Sequence, residues 1–136
     1  MTKSSGDIKN LVLAAQKARY FSQAKYSKFR VGAALLAEDG TFFSGCNVES
    51  SSYSLTICAE RVALTKALSE GYTKFTAIAI SARDGEFCSP CGACRQLLYD
   101  YAPKLDVILT NGSEEKTYKL ADLLPAAFKD TQLGGE

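Results

Sequence analysis

Five cysteines and no histidine stand in this 136-residue chain. Three of the cysteines fall where helical patterns begin: Cys58 before one, Cys91 and Cys94 in another. In Cys91-Gly92-Ala93-Cys94 the two sulfurs are three residues apart, on one helix face, so both can reach one ion. Helix N-termini also stabilise thiolates through their free N–H groups. If Cys58 serves the same ion, two helix starts far apart in sequence must meet, and few folds allow that.

The missing histidine narrows the chemistry. Serine–histidine and cysteine–histidine catalysis are excluded, as are histidine-based zinc and non-haem iron sites. A proton carrier near neutral pH must then be a shifted Glu, Asp, Cys, Lys or Tyr, or a metal-bound water. Glu60 lies two residues after Cys58. Three protein ligands leave the fourth tetrahedral position open, the mark of a catalytic zinc, and zinc acidifies water bound there. Three thiolates on a dication leave a net charge of −1. Arg61 and Arg95, beside the ligand segments, are the candidates to offset it by hydrogen bonds to sulfur.

Other readings stay open on spacing alone. A C-x-x-C also serves as a redox pair or in a structural site. Cys88, Cys91 and Cys94 form C-x₂-C-x₂-C, the first part of a ferredoxin-type run. Cys58 or Cys46 could complete an iron–sulfur set or a closed four-sulfur zinc. The ferredoxin run also needs a Cys-Pro four residues on, where Leu98 stands. Cys46 and Cys88 are therefore read as free, buried thiols.

Bulk composition points to one soluble domain spanning residues 1–136. The chain is 46% hydrophobic and 23% charged, ordinary globular usage. A net charge of +1 gives no pull on a polyanion, so nucleic acid and anionic membrane are not expected partners. No apolar run approaches the roughly 20 residues of a bilayer span. Met1–Lys9 lacks a signal-peptide apolar stretch, and a reducing, cytoplasmic setting is expected.

Apolar spacing predicts a helix over 7–22, a hairpin over 31–37 and 41–48, and a serine-rich loop over 49–57. Helices follow over 59–70 and 91–101, strands over 75–82 and 106–110, a last strand over 116–119 and a short helix over 120–124. The Gly134-Gly135 tail is expected to be loose. Strand–helix–strand units in the second half predict a largely parallel sheet there. The fold class is α/β, a three-layer α/β/α sandwich with a mixed five-stranded sheet.

The combination Cys58-Ala59-Glu60 with Pro90-Cys91-x-x-Cys94 matches the signature of zinc nucleobase deaminases. Further segments follow in order: Tyr26-Ser27-Lys28-Phe29-Arg30-Val31-Gly32-Ala33-Ala34, Gly45-Cys46-Asn47-Val48-Glu49, Tyr53-Ser54, Ser89-Pro90 and Leu123-Leu124-Pro125-Ala126-Ala127-Phe128. Together they resemble the small cytidine deaminase family along nearly the whole chain. The resemblance implies one zinc per chain on Cys58, Cys91 and Cys94, with Glu60 as proton carrier. It implies Asn47 and Glu49 on the ribose, Phe29 on the pyrimidine ring, and backbone groups of Ala59 and Ser89 on the base. It also implies a homotetramer in which Tyr53 and Phe128 reach a neighbour's site. The implied reaction turns cytidine or deoxycytidine into the uracil nucleoside and ammonia, as in pyrimidine salvage.

Two positions depart from the family pattern. Lys25 stands where proline is usual, and Glu49-Ser50-Ser51-Ser52-Tyr53 replaces Glu-Asn-Ala-x-Tyr. The alternatives are a deaminase for another aminopyrimidine nucleoside and, from a different class, a non-enzymatic iron–sulfur or structural-zinc module.

Overall fold

The structure, a computed structural model, describes residues 5–129 and Leu133. The expected loose tail at 134–135 lies outside the described residues. Helix α1 spans Ser5–Ala18 and buries Leu11, Val12, Ala15 and Ala18. It ends earlier than its apolar pattern predicts, because Arg19–Phe21 tighten into a 3₁₀ turn. Strands β1 (Gly32–Ala37) and β2 (Phe42–Cys46) form the hairpin. Then come α2 (Ala59–Ser69), β3 (Phe75–Ser81), α3 (Gly92–Tyr101), β4 (Asp106–Thr110), β5 (Glu115–Lys119) and α4 (Leu120–Leu123). The serine-rich loop holds one 3₁₀ turn, Tyr53–Leu55.

The sheet order is β2-β1-β3-β4-β5. Only β3 and β4 pair in parallel; β1 with β2, β1 with β3 and β4 with β5 are antiparallel. The expectation of a largely parallel second half is thus corrected. Helix α3 provides the long crossover that a parallel pair needs, whereas the short Asn111-Gly112 turn returns β5 antiparallel.

Side-chain alternation sorts the core into two layers. Ala33, Leu35, Ile78, Ile80, Val107 and Leu109 pack with α2 and α3 residues such as Leu64 and Leu98. Ala34, Leu36, Ala77, Ala79 and Ile108 pack on the other face with Leu11, Val12 and Ala15 of α1. Strand β1 is buried at every position, as its unbroken apolar sequence requires for a strand covered on both faces.

Strand register then decides where the helices begin. Gly32 pairs with Cys46 and with Ser81, and Ser81 pairs with Thr110. The C-terminal ends of β2, β3 and β4 therefore share one edge of the sandwich. Both α2 and α3 start there and run back toward the next strand. In α/β sheets this is where ligands bind.

Gly45 of β2 seats α2. A Cβ there would stand 2.6 Å from the Ala59 carbonyl oxygen and 2.6 Å from the Ala63 nitrogen. Gly45→Ala is expected to cost about 1–3 kcal/mol through overpacking, read as a lower urea midpoint with an unchanged slope. A loss below about 0.5 kcal/mol would show that α2 is free to shift away from β2.

Candidate metal centre and cavity

Cys58 is the N-cap of α2 and Cys91 the N-cap of α3, and neither side chain caps its own helix. Their sulfurs are free to face each other. The Sγ atoms of Cys58, Cys91 and Cys94 all lie within 4.8 Å of one another, with Cys91 and Cys94 3.4 Å apart. Among the described residues no fourth cysteine or carboxylate joins this cluster. Cys46 lines a separate groove beside α1, and Cys88 stands outside the sulfur cluster. Both thiols are half-buried rather than fully buried.

The thiols do not ionise alike. A hydrogen bond from Cys94, aided by Arg61, pulls Cys58 down to about 5. The same bond, with burial, pushes Cys94 far above the usual thiol range. Of this pair Cys58 is the readier to ionise, and a second negative charge at this spacing is repelled. A dication removes that penalty. Three soft sulfurs, buried on one side and lacking a fourth protein ligand, fit a zinc ion with an open position.

The two arginines divide their work. Arg61 Nη2 donates to Cys58 Sγ at 3.8 Å and to the Thr56 carbonyl at 3.0 Å. Arg95 departs from the expectation of a sulfur contact. Its Nε donates to Pro90 O at 2.7 Å, Nη1 to Leu123 O at 2.6 Å and Nη2 to Ser89 Oγ at 2.7 Å. The long side chain reaches back across the loop before α3, so it braces the Ser89–Cys91 segment against α4. Sequence proximity to a ligand could not distinguish these directions.

A cavity of about 210 Å³ opens beside the sulfurs, lined by Phe29, Val31, Asn47, Thr56, Cys58, Ala59, Glu60, Cys88, Ser89 and Cys91. Glu60 is 5% exposed. Burial pushes its carboxyl up to about 7, and the Cys58 thiolate adds to the rise. A carboxyl poised there can both accept and release a proton near neutral pH. Cys88 is held as a thiol by burial and by the negative charge of Glu60.

A second hollow is lined by Tyr26, Ser27, Glu49, Tyr53 and Thr56. Thr56 borders both, so the two adjoin. Glu49 accepts from Tyr26 N at 2.9 Å, from Ser27 N at 3.0 Å and from the Ser27 hydroxyl. These bonds hold the turn that presents Phe29, whose ring carries the Arg83 guanidinium 5.0 Å from its centroid. Phe128 borders neither cavity of its own chain; its carbonyl accepts from Gln96 Nε2 at 2.9 Å and its side chain is half-exposed.

Sequence reasoning thus named most of this lining but gave no site role to Val31, Thr56 and Cys88 in the first cavity or to Tyr26 and Ser27 in the second. Val31 is indistinguishable from core in a strand, and Thr56 from any loop residue. For Cys88 the signal was its spacing, which suggested a ligand rather than a wall.

Comparison with known proteins bears on this geometry directly. Residues 5–110 match the family model described as the cytidine and deoxycytidylate deaminase zinc-binding region. The chain belongs to this deaminase family. It is 48% identical to the cytidine deaminase of Sporosarcina psychrophila over 130 residues, 93% of this chain and 95% of the relative. A probable cytidine deaminase of Dictyostelium discoideum is 42% identical over 130 residues, 93% of this chain and 87% of that one. The crystal structure of a cytidine deaminase from Burkholderia pseudomallei superposes with a TM-score of 0.85 at 45% identity, covering 94% of this chain and all of that one. A zinc-binding deaminase domain thus supplies the setting for the sulfur cluster.

Two predictions follow from the deaminase site. Cys88→Ser should retain about one zinc per chain by metal analysis, while Cys58→Ser, Cys91→Ser and Cys94→Ser each lose most of it. Zinc loss from Cys88→Ser alone would make Cys88 a ligand. For Glu49, hydrogen bonds from Ser27 and Tyr26 hold the carboxyl below its ordinary value of 4.5. Its stabilisation is therefore complete above that value and is lost as pH falls through the folded value. The unfolding midpoints of wild type and Glu49→Gln should differ at pH 7 and converge in acid.

Proposed function

We propose that this chain is a zinc-dependent deaminase that hydrolyses cytidine and deoxycytidine to uridine and deoxyuridine with release of ammonia. The observation that carries this reading is the placement of buried Glu60 on the same small cavity as two sulfurs of the cluster. Family membership supports it, and so do relatives that are themselves cytidine deaminases.

Cys58, Cys91 and Cys94 would hold the zinc, whose Lewis acidity lets water act as a nucleophile near neutral pH. Glu60 does the proton work. It takes a proton as the water oxygen bonds to C4 of the pyrimidine, and passes that proton to N3, so that C4 becomes tetrahedral. Glu60 then moves the remaining hydroxyl proton to the amino nitrogen. The C4–N bond breaks with its electron pair on nitrogen, ammonia leaves, and C4 keeps the oxygen as a carbonyl. Burial serves both transfers, since a carboxyl near neutrality accepts and donates at small cost.

Phe29 would pack on the base, while backbone groups of Ala59 and Ser89 orient it and Asn47 and Glu49 bind the sugar. The adjoining hollows suit this division: the base beside Glu60, the sugar across Thr56 toward Glu49. Arg61 offsets the charge of the ligand set directly, and Arg95 supports it by fixing Ser89 and Pro90.

The reading extends to a homotetramer that completes each site with Tyr53 and Phe128 of neighbouring chains. Tyr53 is 79% exposed and Phe128 48%, exposures that suit aromatic side chains awaiting a partner surface. One domain, a cytoplasmic setting and a role in pyrimidine salvage belong to the same proposal. Free thiols and an all-sulfur metal site suit a reducing compartment. Among the described residues no helix is long and apolar enough to cross a membrane.

An ultraviolet assay of cytidine loss, with metal analysis of the same sample, tests this function. Wild type is expected to carry about one zinc per chain and to release ammonia in step with uridine. Glu60→Gln is expected to keep its zinc and lose roughly 10²–10⁴-fold or more in kcat. A zinc-loaded wild type inert toward cytidine and deoxycytidine would overturn the assignment, and an active Glu60→Gln would remove Glu60 from its central role.

A further inference from the structure

Asn47 follows β2 and lines the cavity while only 8% exposed. Its surroundings settle which way its amide faces. The Val31 backbone N–H, a donor only, approaches Asn47 Oδ1 at 3.0 Å. The Phe29 carbonyl, an acceptor only, takes a hydrogen bond from Asn47 Nδ2 at 2.8 Å. An amide flipped end for end would set donor against donor and acceptor against acceptor. The orientation is therefore dictated by backbone groups that cannot change character.

The Ser22 hydroxyl makes the third bond. It meets the same Oδ1 atom, so in this orientation it must donate. Ser22 is itself 5% exposed, just after the 3₁₀ turn that ends the first helix. Its segment is tied to that of Asn47 by Gln23 N to Asn47 O at 2.9 Å and Glu49 N to Gln23 O at 3.2 Å. An amide oxygen has two lone pairs and an amide nitrogen two hydrogens. With Val31 and Ser22 on the oxygen and Phe29 on one hydrogen, the unspent capacity of the Asn47 side chain is a single N–H.

We infer that Ser22 is a positioning and specificity-determining residue: by filling the second lone pair of Asn47, it makes Asn47 a donor-only group toward the cavity. The ligand atom met there must be an acceptor, such as the oxygen of a sugar hydroxyl. Ser22 lines neither cavity described above and acts through Asn47. Without its hydroxyl, Oδ1 has a vacant lone pair that water or a ligand hydroxyl can claim, and one hydrogen bond holding the amide is gone. The inference rests on the nucleoside reading for the identity of the ligand, though not for the hydrogen-bond count.

The test compares two product analogues as inhibitors of cytidine turnover: uridine, which has the sugar hydroxyls, and 2′,3′-dideoxyuridine, which lacks the two on its ring. In Ser22→Ala the inhibition constant for uridine is expected to rise roughly three- to tenfold, the worth of one neutral hydrogen bond. That for dideoxyuridine should stay within twofold, and kcat for cytidine should change little. A purely structural role would weaken both analogues equally. Equal weakening, or no weakening of either, overturns the inference. Wild type that fails to turn over cytidine would instead count against the assigned reaction, so the two failures remain distinct.

Discussion

Everything at this site depends on holding three cysteine sulfurs within 4.8 Å of one another. Such a cluster is unstable as three bare thiolates, since each new charge is repelled by those already present. The chain meets the problem in several ways. It starts two helices at the cluster, whose free N–H groups face the negative charge. It donates from Arg61 to Cys58. It leaves the remaining charge to a dication. Strand register makes the convergence possible, because β2 and β3 end level with each other on either side of β1.

The same geometry sets the environment of Glu60. As the second residue of α2, it follows Cys58 into the buried end of the helix. Removal from water, reinforced by the Cys58 thiolate, brings its carboxyl to about 7. Two polar residues hold other parts of the lining, Asn47 in the same cavity and Glu49 in the adjoining hollow. Asn47 joins Phe29, Val31 and Ser22, while Glu49 joins Tyr26 and Ser27. Lys28, between Ser27 and Phe29, sits in the left-handed region at φ 61°, a conformation that costs a non-glycine residue roughly 1–2 kcal/mol. The Glu49 bonds to the turn before it and the Asn47 bond to Phe29 offset that cost and keep the aromatic ring at the cavity.

Legibility in the sequence was uneven, for physical reasons. The helices of Cys58 and Cys91 were visible because apolar periodicity is local. The α1 end was placed late because no Gly or Pro follows Ala18 to mark where the α-helix gives way to the 3₁₀ turn of Arg19–Phe21. The second half was expected to be largely parallel from its strand–helix–strand unit, but strand direction depends on connection length, and the short turn after β4 returns β5 antiparallel. Arg61 and Arg95 looked alike, each adjoining a ligand segment; only the path of each side chain separates a sulfur donor from a loop brace. Ser22 gave no signal at all. Its partner stands 25 residues away, and a serine near a helix end is ordinarily a cap or a turn.

By itself, the sequence determined the chemistry available. Without histidine, metal ligation fell to cysteine thiolates and proton transfer to a shifted side chain or a metal-bound water, and the spacing put Cys58, Glu60, Cys91 and Cys94 at helix starts. Tertiary structure decided which sulfurs share an ion, which arginine faces them, and that Asn47 has one donor left to offer. Ligand type and helix position are properties of neighbouring residues. Distances, burial and the last free hydrogen bond are properties of segments that meet only when the sheet sets their register.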